Sequence, residues 1–98
     1  MASNSVDKVA IYKALGDDIR LGMVKSIAAS AYEVTSSQVV ESCASLLNLS
    51  QPTISHHFAK LVASGVLLEQ KQGSQKLYRI NRQVLVSAGI DISKLINV

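Results

Sequence analysis

The stretch NLSQPTISHHFAKLVASG, residues 48–65, contains the only proline of the chain and both of its histidines. Ser50 is a good N-cap residue, and Pro52 falls in the first helical turn, where its missing N–H removes no helix hydrogen bond. Apolar residues then recur at helical spacing, namely Ile54, Phe58, Leu61 and Val62. The stretch therefore predicts an amphipathic helix that begins at Ser50 and is ended by Gly65.

Two short helices are predicted near the start of the chain. Residues 7–15 form a helix that stops at Gly16. Asp17 or Asp18 then caps a second helix with the sequence DIRLGMVKSIAAS. The residues before them, 1–6, are expected to form a flexible arm.

A third helix is predicted in EVTSSQVVESCASLLN, residues 33–48. Thr35 and Gln38 have the spacing of a capping box. An apolar stripe follows at steps of three and four residues, made by Val39, Val40, Cys43, Ala44 and Leu47. Only a short turn separates this helix from the one that begins at Ser50, as in a helix-turn-helix.

A β-hairpin is predicted after the histidine-containing helix. VLLEQK, residues 66–71, and QKLYRI, residues 75–80, flank Gly73, which can adopt the positive φ of a tight turn. After Arg82, the sequences QVLVSAG and DISKLINV indicate one or two short helices interrupted at Gly89. The predicted fold is mainly α with a small β-hairpin, in the order α-α-α-α-β-β-α, which is a winged helix-turn-helix.

Length and composition limit the class of protein. Ninety-eight residues suffice for one domain with one core, so residues 1–98 are expected to form a single domain. No stretch has the length and apolarity of a membrane span or the pattern of a secretory signal, so we expect a cytoplasmic protein without a membrane partner. A single cysteine, Cys43, excludes an internal disulfide.

Positive charge is concentrated in one third of the chain. Residues 60–82 carry five basic side chains and a single acidic one, Glu69, whereas the whole chain has a net charge of +3 at pH 7. Such a cluster is either an ordinary solvated face or a binding surface for a polyanion. Charge alone favours the solvated face.

Two motifs and the hairpin resemble a known family. ALGDDIRL, residues 14–21, and LSQPTISHHFAKLVASGVL, residues 49–67, are similar to motifs of the ArsR/SmtB (arsenic-repressor-like) family, the second of them to its recognition helix. GSQKLYRI, residues 73–80, resembles the wing of that family. The resemblance implies a dimeric winged-helix transcriptional regulator.

Helical geometry separates the two histidines. A step of about 100° per residue turns His56 away from the apolar stripe of Ile54 and Phe58 and onto the opposite, outward face. His57 is placed on the flank of that outward face. Neighbours on a helix do not face each other, so this pair is poorly suited to hold one metal ion.

A recognition helix in the major groove presents its first turns to the base edges. The predicted readers of sequence are therefore the polar residues there: Gln51, Thr53, Ser55, His56 and His57. Lys60 adds a positive charge to the same face. The wing is expected to contact phosphates or a minor groove through Lys71, Gln72, Ser74, Gln75 and Lys76, while Arg79 and Arg82 are open to internal pairing. The alternative is the polar face of an ordinary surface helix.

Cys43 is not expected to bind a metal, and no cofactor is predicted. By the resemblance, Cys43 falls where metal-sensing relatives carry the first cysteine of a pair, but the chain has Ser45 at the second position. Soft metals need three or four ligands, and the segment after Arg82 contains Asp91 but no histidine or cysteine. A buried hydrophobe is the favoured interpretation of Cys43, and a metal- or redox-responsive repressor is the alternative.

Both ends of the chain are more apolar than a core this small needs. We expect a homodimer formed by the first helix and by residues 82–98, with contacts from Val9, Ile11, Tyr12, Leu85, Ile92, Leu95 and Ile96. The family resemblance also implies pairing through the first and last helices. The alternative is that these side chains complete the core of one monomer.

The predicted function is a sequence-specific regulator of transcription that binds double-stranded DNA, with a homodimeric repressor at an inverted-repeat operator as the leading form. A winged-helix module for protein–protein contact would need an apolar or acidic recognition face, which Thr53, His56 and Lys60 do not offer. The sequence shows no nucleophile paired with a general base, no glycine-rich phosphate loop and no metal triad, so an enzyme is not expected.

Overall fold

In the computed structural model of the chain, the described residues are 7–29, 33–35, 37–38, 41 and 48–96. Their helices and strands, in chain order, are α1 (Lys8–Leu15), α2 (Asp18–Ala29), β1 (Glu33–Thr35), α3 (Gln51–Ser64), β2 (Leu67–Gln72), β3 (Gln75–Ile80), α4 (Arg82–Ser87) and α5 (Ile92–Ile96). The predicted arm of residues 1–6 and most of the predicted third helix, including Cys43, lie outside the described residues.

α1 begins where the sequence predicted, and α2 and α3 begin at predicted caps. Asp7 accepts the backbone N–H of Ala10 at the start of α1. Asp17 caps α2, because its carboxylate accepts the backbone N–H of Arg20 at 2.9 Å, and this hydrogen bond lowers the pKa of Asp17. At the start of α3, the Ser50 hydroxyl accepts a backbone N–H from the first turn, and Pro52 occupies that turn as predicted.

The sheet of the described residues has three strands, whereas the sequence predicted only a hairpin. β1 pairs antiparallel with β3, with Val34 opposite Tyr78, and the strand order is β1-β3-β2. Residues 33–35 therefore form a strand that the sequence did not predict, while residues 37, 38 and 41 are helical, as expected for the start of the predicted third helix. Thr35 and Gln38 do form the predicted capping box, with distances of 2.9 and 3.3 Å. A strand of three residues is too short to produce a recognisable alternation in the sequence.

The hairpin of β2 and β3 is confirmed. Gln72 pairs with Gln75 at its end, which leaves a turn of Gly73 and Ser74. Gly73 has φ +60°, at the first turn position, where a type II′ hairpin requires a positive φ. The C-terminal part is also as predicted, because α4 and α5 are separated at Gly89.

The core is centred on the apolar stripe of α3. Ile54 and Leu61 are fully buried, and the ring of Phe58 stacks on Tyr78 of β3 with centroids 4.1 Å apart and planes at 16°. α3 contacts α1, α2 and β2. Other fully buried side chains come from the surrounding elements and the loop before β2: Ile11, Met23, Val24, Ile27, Val66, Leu67 and Leu85.

α3 ends in a Schellman motif. Gly65 adopts the left-handed conformation with φ +88°, its N–H bonds to the carbonyl of Val62, and the N–H of Val66 bonds to the carbonyl of Leu61. This geometry turns the chain from the helix directly into β2 and so sets where the wing starts.

Replacing Gly65 with alanine is expected to lower the free energy of unfolding by about 1 to 2 kcal/mol, because an L-residue is strained at this positive φ. The added methyl group would lie 3.9 Å from Val84, an ordinary contact, so the loss comes from the backbone. The matched control is Gly22→Ala in the middle of α2, where the methyl group meets nothing within 4 Å and helix propensity raises stability by about 1 kcal/mol. Urea unfolding of both variants measures this, and effects of the same sign would contradict the assigned helix end.

Candidate nucleic-acid interface

The outward face of α3 carries polar side chains over its first two turns. Gln51, Ser55 and His56 are exposed, and Lys60 is exposed one turn further along. Thr53 is half-buried, and its hydroxyl lies 2.9 Å from that of Ser50, so part of its hydrogen-bonding capacity is used at the helix cap. α3 contains no aspartate or glutamate, so no carboxylate on this helix opposes an approaching phosphate.

The two adjacent histidines point in different directions. His56 is exposed, whereas His57 is only 9% exposed, and their ring planes are 63° apart. This corrects the predicted placement of His57 on the flank of the outward face, and we no longer count His57 among the side chains that reach a base edge. His57 stands three residues after Ile54 and four before Leu61, the spacing of a buried stripe, and this signal was present in the sequence.

Arg20 of α2 contacts the ring of the buried His57. Nη1 of Arg20 lies 3.2 Å from Nδ1 of His57, and Nε of Arg20 donates to the carbonyl of Ala14 at 2.7 Å. Oδ2 of Asp17 is 3.9 Å from the same Nδ1, which is too far for a hydrogen bond. The sequence alone indicated no role for Arg20. Its position three residues after the capping Asp17 was visible in the sequence, but its distant partners were not.

The wing tip is exposed and basic, and all five predicted wing residues are exposed: Lys71, Gln72, Ser74, Gln75 and Lys76. Lys71 and Lys76 lie opposite each other in the β2–β3 register. Nζ of Lys76 is 3.7 Å from the carboxylate of Glu69, which reduces the charge that this lysine offers to a phosphate. The Ser37 hydroxyl donates to the side-chain oxygen of Gln75, so the tip also contacts the segment after β1.

Tyr78 connects the wing to α3. Its ring stacks on Phe58, and burial raises the pKa of Tyr78, with a hydrogen bond to Glu69 raising it further. The phenol therefore stays neutral at physiological pH. Glu69 thus contacts both Tyr78 in the core and Lys76 at the base of the wing tip.

The positive surface of α3 continues towards α1. Lys13, Arg20 and Lys60 line a hollow of about 290 Å³ between the two helices, whose other lining residues are Ala10, Ala14, Ala63 and Ser64. None of the described residues that line this hollow is acidic. A phosphate group would therefore meet three cations and no carboxylate here.

Three exposed apolar side chains lie on the terminal helices. Val9 and Tyr12 are one turn apart on α1 and are 62% and 50% exposed, and Val86 on α4 is 69% exposed. The Tyr12 hydroxyl donates to the carbonyl of Ala88, so this face of α1 lies against the end of α4. These side chains are available to a partner chain.

Three other residues of the predicted dimer interface are placed differently. The chain's own core buries Ile11, Leu85 and Ile92. For these three residues the alternative interpretation is therefore correct: they complete the core of one monomer. Leu95 is half-buried and packs against that core. Ile96 ends α5, and its side chain lies outside the described part.

Among the residues that the structure describes, no three His, Cys, Asp or Glu side chains are grouped so that they could hold a metal ion. None of the helices in this part of the chain has the length and apolarity needed to span a bilayer.

Known proteins are similar to this chain in sequence and in fold. The arsenical resistance operon repressor of Escherichia coli K12 is 37% identical over 76 residues, which are 78% of this chain and 61% of that protein. The arsenic resistance transcriptional regulator ArsR2 of Pseudomonas putida is 38% identical over 74 residues, 76% of this chain and 60% of that protein. The chain thus spans about three fifths of the length of these curated relatives.

A solved structure and a family model agree with these relatives. The crystal structure of the transcriptional repressor PagR of Bacillus anthracis matches with a TM-score of 0.68 at 27% identity, covering 91% of this chain and 92% of that one. The model of the family described as "Bacterial regulatory protein, arsR family" matches residues 17–67, from the cap of α2 to the first residue of β2. This match covers more than half of the chain, and the helices and the wing follow one another in the order that the family resemblance implied. The protein therefore belongs to the arsR family of bacterial regulatory proteins.

Proposed function

We propose that this protein is a transcriptional regulator that binds double-stranded DNA sequence-specifically and acts as a repressor. The outward face of α3 carries this proposal, because Gln51, Ser55 and His56 are exposed on its first two turns and no carboxylate lies on the helix. Amide, hydroxyl and imidazole groups can hydrogen-bond to base edges in a major groove. The names of the relatives support the same role, since the E. coli relative and PagR are both named as repressors.

The proposed assembly is a homodimer on an inverted-repeat operator. Residues 1–98 would act as one winged-helix unit in the cytoplasm, with residues 82–98 contributing to dimerisation. The exposed Val9, Tyr12 and Val86 support this assembly, because a two-fold interface would remove them from water. Two recognition helices related by a two-fold axis match two half-sites of opposite direction.

The arsenic-related names of the relatives are not extended to the signal that this chain senses. The chain has one cysteine and two histidines in all, and the histidines diverge on α3. A thiophilic metal needs several soft ligands in one place. We therefore propose that Cys43 does not form a metal-sensing site.

Selection from a random pool of double-stranded DNA is expected to enrich an inverted repeat. On the selected operator, His56→Ala and Gln51→Ala should each weaken binding by about 1 to 3 kcal/mol and relax selectivity at one base pair, because each removes a base contact. Gln83→Ala, which removes an exposed amide from α4, is the matched control and should bind as wild type does. Fluorescence anisotropy measures the affinities. Failure of the selection, or wild-type affinity in both α3 variants, would show that this face does not read DNA.

Replacing both Lys71 and Lys76 with glutamine is expected to weaken binding to operator and to scrambled DNA alike, because the wing is proposed to contact phosphates. Each lost contact should reduce the slope of log affinity against log salt by about 0.9. Lys71 should contribute more than Lys76, whose charge is partly compensated by Glu69. Lys94→Gln on α5 is the control for a lost positive charge. An unchanged slope in the double variant would exclude the hairpin as a DNA-contacting wing.

Val9→Glu is expected to convert a dimer into a monomer of 10.5 kDa and to abolish tight operator binding together, because a charge would be buried in the interface. Ile11 is unsuitable for this test, since a charge there would disrupt the monomer's own core. Leu68→Glu, an equivalent change at an exposed apolar residue of β2, should leave the dimer intact. Sedimentation equilibrium at micromolar concentration distinguishes the two states, and a monomeric wild type would contradict the proposed assembly.

A further inference from the structure

Arg20 connects three elements of the fold. Its backbone N–H donates to the carboxylate of Asp17 at the start of α2, and its Nε donates to the carbonyl of Ala14 in the last turn of α1. Its Nη1 lies 3.2 Å from Nδ1 of His57, in the middle of α3. One half-buried side chain therefore joins the end of α1 and the start of α2 to the helix proposed to read DNA.

The chemistry of this contact determines the state of the imidazole. A guanidinium only donates hydrogen bonds, so Nδ1 of His57 must accept and the ring proton must lie on Nε2. The opposite arrangement, with a protonated Nδ1 donating to Asp17, does not fit the separation of 3.9 Å. Because His57 is almost fully buried, water does not replace this bond, and its direction fixes the ring.

The contact restricts the rotation of α3 about its own axis. Ile54 and Leu61 of the same buried stripe make apolar contacts, which have little directional preference. A hydrogen bond weakens steeply when its angle changes. His56 and Ser55 precede His57 in the same turn, so the bond that fixes His57 also sets the direction in which they point.

We infer that Arg20 is a positioning residue for DNA recognition: through Nδ1 of His57 it holds α3 in the rotation that allows the outward side chains to distinguish bases. This inference rests on the proposed function. Two of the five N–H groups of Arg20 are engaged by Ala14 and His57. Because Arg20 also lines the hollow between α1 and α3, a phosphate contact is the competing role. The two roles differ in a measurable way. A lost phosphate contact reduces the salt slope, whereas a lost orientation reduces the preference for operator over scrambled DNA.

The test compares three variants with wild type by fluorescence anisotropy on the selected operator and on scrambled DNA. Arg20→Gln removes the guanidinium whose Nη1 reaches His57, while the shorter amide, near the position of Nε, can still donate to the carbonyl of Ala14. His57→Leu removes the acceptor at similar volume. His57→Asn keeps a carbonyl oxygen close to the position of Nδ1 and is the conservative control. We expect the ratio of the two affinities to fall roughly tenfold in Arg20→Gln and in His57→Leu, and to be largely retained in His57→Asn.

The double variant of Arg20→Gln and His57→Leu should lose no more of the preference than either single variant, because both changes remove the same bond. The salt slope on scrambled DNA should stay at the wild-type value. A salt slope reduced by about one in Arg20→Gln would make Arg20 a phosphate ligand and overturn the inference. Wild-type preference in both single variants would overturn it as well.

Two further readouts separate the possible failures. If Arg20→Gln does not fold, as judged by circular dichroism, the comparison of His57→Leu with His57→Asn tests the inference. Equal preference for operator in these two variants contradicts it.

A long-range ¹H–¹⁵N spectrum of the wild-type protein without DNA should show a proton on Nε2 and none on Nδ1 of His57, and the reverse tautomer overturns the inference. If wild type itself does not prefer any DNA sequence, the proposed function fails, and this inference fails with it.

Discussion

Burial of a single stripe of α3 is the constraint on which the rest of the structure depends. Ile54, Phe58 and Leu61 face the interior, so the helix has only one side left for solvent, and Gln51 and His56 lie on it. The stacking of Phe58 on Tyr78 extends this constraint to the sheet, because β3 pairs with β1 on one side and β2 on the other. The position of the wing and the outward face of α3 therefore follow from one packed contact.

Two polar contacts fix orientations that the burial of apolar side chains alone leaves undefined. His57 meets the guanidinium of Arg20 beneath α3, and Tyr78 meets the carboxylate of Glu69 beneath the wing. In both pairs a buried polar group is held by a charged one, and no buried side-chain nitrogen or oxygen of the described residues lacks a partner. Each pair lies under one of the two surfaces proposed to contact DNA, so the orientation of each surface depends on a polar contact inside the protein.

Family membership and sensing chemistry are separate questions in this protein. The family model spans residues 17–67, which include α2 and α3, the elements that contain Arg20 and His57. The curated relatives are named for arsenic, whereas this chain has a single cysteine, so the recognition-helix motif is present without the set of thiolates that a soft metal requires. A shared scaffold with the proposed absence of a metal-sensing site would account for both observations.

The sequence by itself determined the caps of α2 and α3, the end of α3 at Gly65 and the turn at Gly73, because each of these signals acts over three or four neighbouring residues. The exposed polar face of α3 also follows from local spacing, whereas its contacts with bases remain a prediction. Only the tertiary structure decided that β1 joins the sheet and that Arg20 is the partner of His57. It also decided that Ile11 and Leu85 belong to the monomer's core while Val9 and Tyr12 stay exposed. The physical reason is that residues distant along the chain form hydrogen bonds and packing contacts only when the chain is folded. Spacing along the sequence does not show which apolar residues are buried by those distant neighbours.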